Sequence, residues 1–150
     1  MTVEVREVVP EDLPVFFEHQ RDPLATEMAA FPSRDRDAFD AHWKRILENP
    51  SLIANTVTVD GVVAGNVVAF ERAGRWLIGY WIGREYWGHG VATRALALFL
   101  RLVLTRPVYA YVAKHNVGSI RVLEKCGFTV AETPPPGEDG VEEYLMVLAR

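Results

Sequence analysis

Valines and polar residues alternate from Thr2 to Val8, with Val3 and Val5 followed by Val8, the period of a strand with one face on a core. From Pro10 the pattern changes to Leu13, Phe16, Phe17 and Gln20. Pro10, Glu11 and Asp12 suit the first turn of a helix, so a short helix is predicted there. A second helix follows from Phe39, Trp43, Ile46 and Leu47, which recur at i, i+4, i+7 and i+8. Ser33 or Asp35 supplies its cap, and Pro50 must lie beyond its end. Between the helices, Asp22 to Pro32 carries prolines at both ends and the apolar Met28 and Phe31, and reads as an irregular loop of the kind that lines binding sites.

Leu52 to Val59 and Val62 to Phe70 are strand-like runs separated by Asp60 and Gly61, a pair that suits a type I′ hairpin turn. Ala73 and Gly74 mark a further turn before Trp76 to Ile82, so three successive antiparallel strands are predicted. His89 to Thr105 is apolar almost all round, with Arg94, Arg101 and Thr105 on one narrow stripe, which predicts a largely buried helix. A short strand, VYAYVA, follows Pro107. Asn116 to Cys126 is an amphipathic helix ended by Gly127, with Ile120, Leu123 and Cys126 on its apolar side. Phe128 to Glu132 and Val141 to Leu148 are the last strands, joined by a loop containing Pro134, Pro135, Pro136 and Gly137. This order predicts a mixed α/β fold in one domain, residues 1–150, with a long antiparallel meander placed before a crossover helix.

Composition narrows the class without naming a chemistry. A chain of 150 residues buries roughly 70% of its unfolded surface, enough for its own core. With 49% hydrophobic and 24% charged residues it reads as a soluble globular protein. A net charge of -4 argues against nucleic acid or an anionic membrane as a partner. The single cysteine, Cys126, excludes an internal disulfide and reads as a buried apolar residue in a reducing, cytoplasmic setting. The N-terminal residues lack the basic-then-apolar pattern of a signal peptide, and the apolar run Ala95 to Leu104 is about half the ~20 residues a membrane span needs. His19, His42, His89 and His115 show no metal-ligand spacing, so no metal is expected.

The chemistry concentrates after the strand Ile78 to Ile82, which runs into GREYWGHGVATRAL and so into the buried helix. Gly88 and Gly90 let the backbone approach a ligand closely, and the free first amides of a helix, with roughly half a positive charge, favour phosphate. A P-loop would need Gly-Lys-Ser/Thr, and no lysine is near. A dinucleotide fingerprint would need glycine or alanine where Thr93 stands and an acid about twenty residues on, where Arg106 to Ala113 has none.

The sequence resembles the GNAT superfamily of acetyltransferases, in the branch of ribosomal-protein N-acetyltransferases and their small-molecule relatives. The likeness rests on GYWI at Gly79 to Ile82, on the YWGxGxAT pattern at Tyr86 to Thr93, and on NVGSIRVLEKCGF. In the last segment Asn116, Ser119, Glu124, Lys125, Gly127 and Phe128 hold the family's positions, and the element order agrees along the chain. The resemblance implies a mostly antiparallel seven-stranded sheet flanked by about four helices, with acetyl-CoA in a cleft between the fourth and fifth strands.

It further implies that the amides of Gly88, His89, Gly90, Val91, Ala92 and Thr93 hold the pyrophosphate, and that the pantetheine arm pairs with Trp81, Ile82 and Gly83. Asn116 and Ser119 contact the arm, with helix capping as the alternative role of Asn116. The implied reaction is direct attack by a primary amine, on a small molecule or a protein N-terminus, and a homodimer is compatible with it. A base helps a lysine-like amine of pKa ~10.4 more than an α-amino group near ~8. Glu71, at the end of its strand, is the candidate base, against a surface carboxylate beside Arg72. The family's tyrosine acid falls at Leu123 and its additional acid at Leu77, so neither group is available, and the thiolate is left to Ser119, to water or to no acid at all, since a thiol of ordinary pKa is a tolerable leaving group. These departures keep open a noncatalytic acyl-CoA-binding module, or transfer of a bulkier acyl group.

Overall fold

A computed structural model describes the whole chain, Met1 to Arg150. It opens with β1 (Val3–Glu7), a 3-10 turn at Pro10–Asp12, α1 (Leu13–Arg21), α2 (Pro23–Ala29) and α3 (Arg36–Glu48). The meander β2 (Ile53–Val59), β3 (Val62–Arg72) and β4 (Arg75–Ile82) follows, then a 3-10 turn at Arg84–Tyr86 and α4 (Val91–Leu100). The chain ends with β5 (Val108–Ala113), α5 (Val117–Lys125), β6 (Thr129–Glu132) and β7 (Glu143–Leu148). One seven-stranded sheet results, in the order β1-β2-β3-β4-β5-β7-β6. Every neighbouring pair is antiparallel except β4 with β5.

Both meander turns have positive φ at their two central residues, Asp60 (50°) with Gly61 (82°) and Ala73 (53°) with Gly74 (78°), the type I′ geometry that matches strand twist. Asp35 rather than Ser33 caps α3, accepting from the Ala38 N–H at 2.8 Å. No helix is long and apolar enough to cross a membrane.

Two expectations are corrected. The segment after Asp22 is not an irregular loop but a fifth helix, α2. Pro23 sits at its first position, where a missing N–H costs nothing, and Asp22 caps it by accepting from Leu24 N–H at 3.0 Å. The left-handed Ala30 (φ 55°) then ends it ahead of Pro32. Helix α4 stops at Leu100 instead of Thr105. The Arg106 guanidinium folds back to donate to the carbonyls of Leu100 (3.1 Å), Val103 (2.6 Å) and Thr105 (2.9 Å), so the apolar run continues as turn with Leu104 in solvent.

The sheet is covered on both faces. On one side α4 and α5 pack a continuous core of 19 buried residues around Phe99, Leu96 and Val91. On the other, α1 and α3 bring together a cluster of Phe16, Phe39 and Trp43, with the Phe16 and Trp43 rings 5.0 Å apart. The buried Asp12 pins this second layer to the sheet. Arg6 donates to it from both guanidinium nitrogens (2.7 and 2.9 Å), Thr56 Oγ1 donates at 2.6 Å and the Val9 N–H at 3.0 Å. Burial opposes its ionisation, yet these donors and the Arg6 charge hold its pKa down to about 2.

Candidate active site

Strands β4 and β5 are joined at only two residue pairs, Trp76 with Val108 and Leu77 with Tyr109, and diverge beyond them. The Gly83 N–H donates to Ala64 O at 2.8 Å, toward β3. Because antiparallel ladders alternate the direction of their polar groups, Tyr80 then turns its N–H and C=O, and Ile82 its N–H, into the gap. The Ile82 carbonyl is already engaged, accepting from the Trp87 indole at 2.9 Å. That bond ties the glycine turn to the end of β4.

Gly88 (φ 78°) and Gly90 (φ 77°) both sit in the left-handed region, and neither has an atom within 4 Å of where a Cβ would stand. Gly90 caps α4 without any side-chain hydrogen bond, and the amides of Gly88, His89 and Gly90 donate to nothing in the chain. With the first-turn amides of Val91, Ala92 and Thr93 they form an open, outward-facing donor cradle at a helix N-terminus. Its free N–H groups and open volume fit a pyrophosphate.

The gap opens into a cavity of about 130 Å³ lined by residues from both faces of the sheet. Tyr80, Ser119 and Leu123 line its α5 side, while Ala29, Tyr111 and Glu143 line the other. The Tyr80 hydroxyl and Ser119 Oγ are hydrogen-bonded to each other. Burial pushes the Tyr80 phenol up to about 12, against the opposing pull of the Ser119 bond, so it stays a proton-bearing donor at neutral pH. Asn116 caps α5, its Oδ1 accepting from Ser119 N–H at 3.1 Å, and its carboxamide NH₂ finds no partner in the protein beside the cavity. A larger open depression of about 730 Å³ lies between α1 and the end of β4. Its lining includes Glu18, Asp22 and Glu85, and its Arg84 is paired with Asp22 at 2.9 Å, so it repels anions.

The structure thus brings Asn116 and Ser119 to the cavity and the glycine-turn residues to one cradle. Of the three β4 residues expected along the arm, Ile82 turns its N–H to the gap, while Trp81 and Gly83 direct their polar groups to β3. The Trp81 indole donates to His19 O at 3.2 Å on the α1 side, and a Cβ at Gly83 would stand 2.7 Å from the His19 ring. Glu71 is exposed opposite Trp76, at the zipped end of the β4–β5 pair, and does not line the cavity, because the strands have not yet separated there. Tyr80, a strand residue of GYWI, and Glu143 join the site without any motif that marks them along the chain. Only the register of β7 with β5, which pairs Glu143 with Ala113, puts that carboxylate at the cavity.

The family model for the Acetyltransferase (GNAT) domain matches residues 2–129, and the chain belongs to this family. No curated protein matches it in sequence. Its fold is similar to that of a GNAT-family acetyltransferase from Bacillus anthracis, with a TM-score of 0.83, 17% identity, and 99% of this chain and 95% of that one covered. It is similar also to spermidine N-acetyltransferase from Vibrio cholerae in complex with CoA and spermine (TM-score 0.83, 15% identity, 98% and 95% covered). A third likeness is to the aminoglycoside acetyltransferase AAC(6')-Ib in complex with coenzyme A (TM-score 0.82, 18% identity, 99% and 95% covered).

Proposed function

We propose that this protein transfers the acetyl group of acetyl-CoA to a primary amine, on a small molecule or on a chain terminus, by direct attack. The observation that carries the reading is the continuity of two backbone features. The uncapped donor cradle at Gly88 to Thr93 opens onto the unpaired edge of β4, and the edge leads to the cavity holding the Tyr80–Ser119 pair. Fold relatives whose structures hold CoA, with spermine in one case, support the donor and the amine class.

Acetyl-CoA supplies an activated acyl group whose carbonyl carbon accepts a nitrogen lone pair. In this reading the cradle amides and the α4 N-terminus hold the diphosphate. The free Ile82 N–H and Tyr80 polar groups hold the arm as a neighbouring strand would, with the Asn116 NH₂ as a further donor. The Tyr80 N–H, fixed by the β3 ladder, is the amide placed to polarise the thioester carbonyl. The Tyr80 hydroxyl, through Ser119, supplies a proton to the leaving sulfur in place of the tyrosine that position 123 lacks. Glu71 stands outside this route.

The test is free-thiol release from acetyl-CoA with a panel of primary amines, alongside calorimetric binding of CoA. Amine-dependent thiol release is expected. Tight CoA binding with no turnover on any amine would make the protein a noncatalytic binding module, and turnover only with succinyl-CoA would change the acyl group.

A further inference from the structure

We propose that Glu143 is the acceptor-side catalytic residue, its carboxylate holding a slender, positively charged primary amine at the mouth of the β4–β5 gap and taking the proton that the amine must lose. The proposal rests on the donor reading of that gap. Glu143 opens β7 opposite Ala113 and lines the same cavity as Gly79, Tyr80 and Ser119.

Three observations lead to it. The first is that the Glu143 charge is unspent. No Lys, Arg or His lies within ion-pair distance of it, while the adjacent Glu142 takes Lys114 at 3.9 Å. A half-buried carboxylate with no ion-pair partner, which feels only the more distant charge of Arg72, gains from a cation brought into contact with it. The second is that the rest of the cavity wall carries no charge. Its only other titratable side chains are the tyrosines Tyr80 and Tyr111, so an ammonium is the complement the wall offers. The third is shape. Ala29, Gly79, Ala110 and Ala113 line the cavity with Glu143, and its volume of about 130 Å³ suits an unbranched aliphatic amine better than a bulky one.

The groups that face Glu143 from neighbouring elements are Asp139, in the loop before β7, and Arg72, at the end of β3. Burial, and then Asp139, raise the carboxyl pKa, while Arg72 draws it down. The net rise makes Glu143 a stronger proton acceptor than a surface glutamate.

An ammonium loses two protons on becoming an amide; one passes to the Glu143 carboxylate and from it to solvent. The freed lone pair forms the N–C bond to the acetyl carbon, the C–S bond breaks with its electron pair on sulfur, the Tyr80–Ser119 pair protonates that sulfur, and the second amine proton restores the pair. No oxidant or further reactant is needed.

The experiment uses the full chain as wild type and as Glu143→Gln, Glu143→Asp, Glu142→Gln and Glu71→Gln. Each is assayed for CoA affinity by calorimetry and for kcat and KM with 1,4-diaminobutane and with aminoacetonitrile, which is uncharged at neutral pH. With diaminobutane, Glu143→Gln is expected to lose on the order of 100-fold or more in kcat/KM, the usual range for a general base, with CoA affinity unchanged. With aminoacetonitrile the loss should shrink to about tenfold or less, because no proton has to be removed before attack. Glu143→Asp should retain more activity than Glu143→Gln, and Glu142→Gln and Glu71→Gln should stay close to wild type. Wild-type-like kcat/KM in Glu143→Gln, or an equal loss on both amines, overturns the role of Glu143 while the donor reading stands. A wild type that fails to bind CoA overturns both.

Discussion

The two faces of the sheet are built on different scales and do different work. The α4–α5 face rests on a continuous core of 19 residues, and what it offers a ligand is mostly backbone: a helix N-terminus, two positive-φ glycines and one strand edge. The α1–α3 face rests on three buried aromatics and the Asp12 cluster, and what it offers is side chains drawn from separate elements. Backbone donors must be held rigidly to be useful, which a large core provides. An acceptor pocket made of side chains can change without disturbing that core, so one fold can keep a fixed donor and vary the amine.

The comparison breaks most visibly in the large core. Phe99→Ala is expected to cost about 4 kcal/mol, read as a fall in the urea midpoint, because its ring is fully buried among α4 and the strands. A protein that stayed equally stable would mean the donor face is not anchored as described. Next in size, Gly90→Glu should weaken CoA binding by at least 100-fold, about 2.7 kcal/mol, with the circular dichroism spectrum kept. The added carboxylate enters open space at the donor cradle, where it takes the place of a phosphate. Unchanged CoA affinity would remove the cradle from the donor site.

On the opposite face, Asp12→Asn should destabilise by about 2 kcal/mol at neutral pH while leaving CoA affinity alone. The sign follows from a carboxyl held to about 2 in the folded chain against ~3.9 when unfolded. Its contribution is complete above about pH 4 and disappears as pH falls toward 2. Wild-type stability should therefore drop across that window more steeply than that of the variant. The smallest effect is expected at Tyr80→Phe, about a tenfold lower kcat with the acetyl-CoA KM unchanged, which isolates the hydroxyl from the strand that carries it.

The same division explains what could be read along the chain. Meander, crossover helix and glycine turn are encoded locally, by Asp60-Gly61, by apolar periodicity and by Gly88 and Gly90, and so were legible. Helix α2 was not, because Pro23 has the same letter whether it breaks a helix or starts one, and only the Asp22 cap decides. The end of α4 depended on Arg106, six residues past Leu100. Glu143 and Glu71 look alike in sequence; strand register puts one at the cavity and the other at the closed end of the gap. Tyr80 was in plain view inside GYWI, yet its use depends on Ser119, 39 residues away.

The brevity of the β4–β5 junction has a thermodynamic consequence. With two residue pairs joining them, β1–β4 and β5–β7 are two leaves of one sheet stitched at a single corner. A ligand that bonds along the open seam closes it. Such a ligand at 100 times its Kd adds about 2.7 kcal/mol to folding stability, a sizeable share of what a domain of this size possesses. The resistance of this protein to unfolding and proteolysis should then follow the supply of its acyl donor.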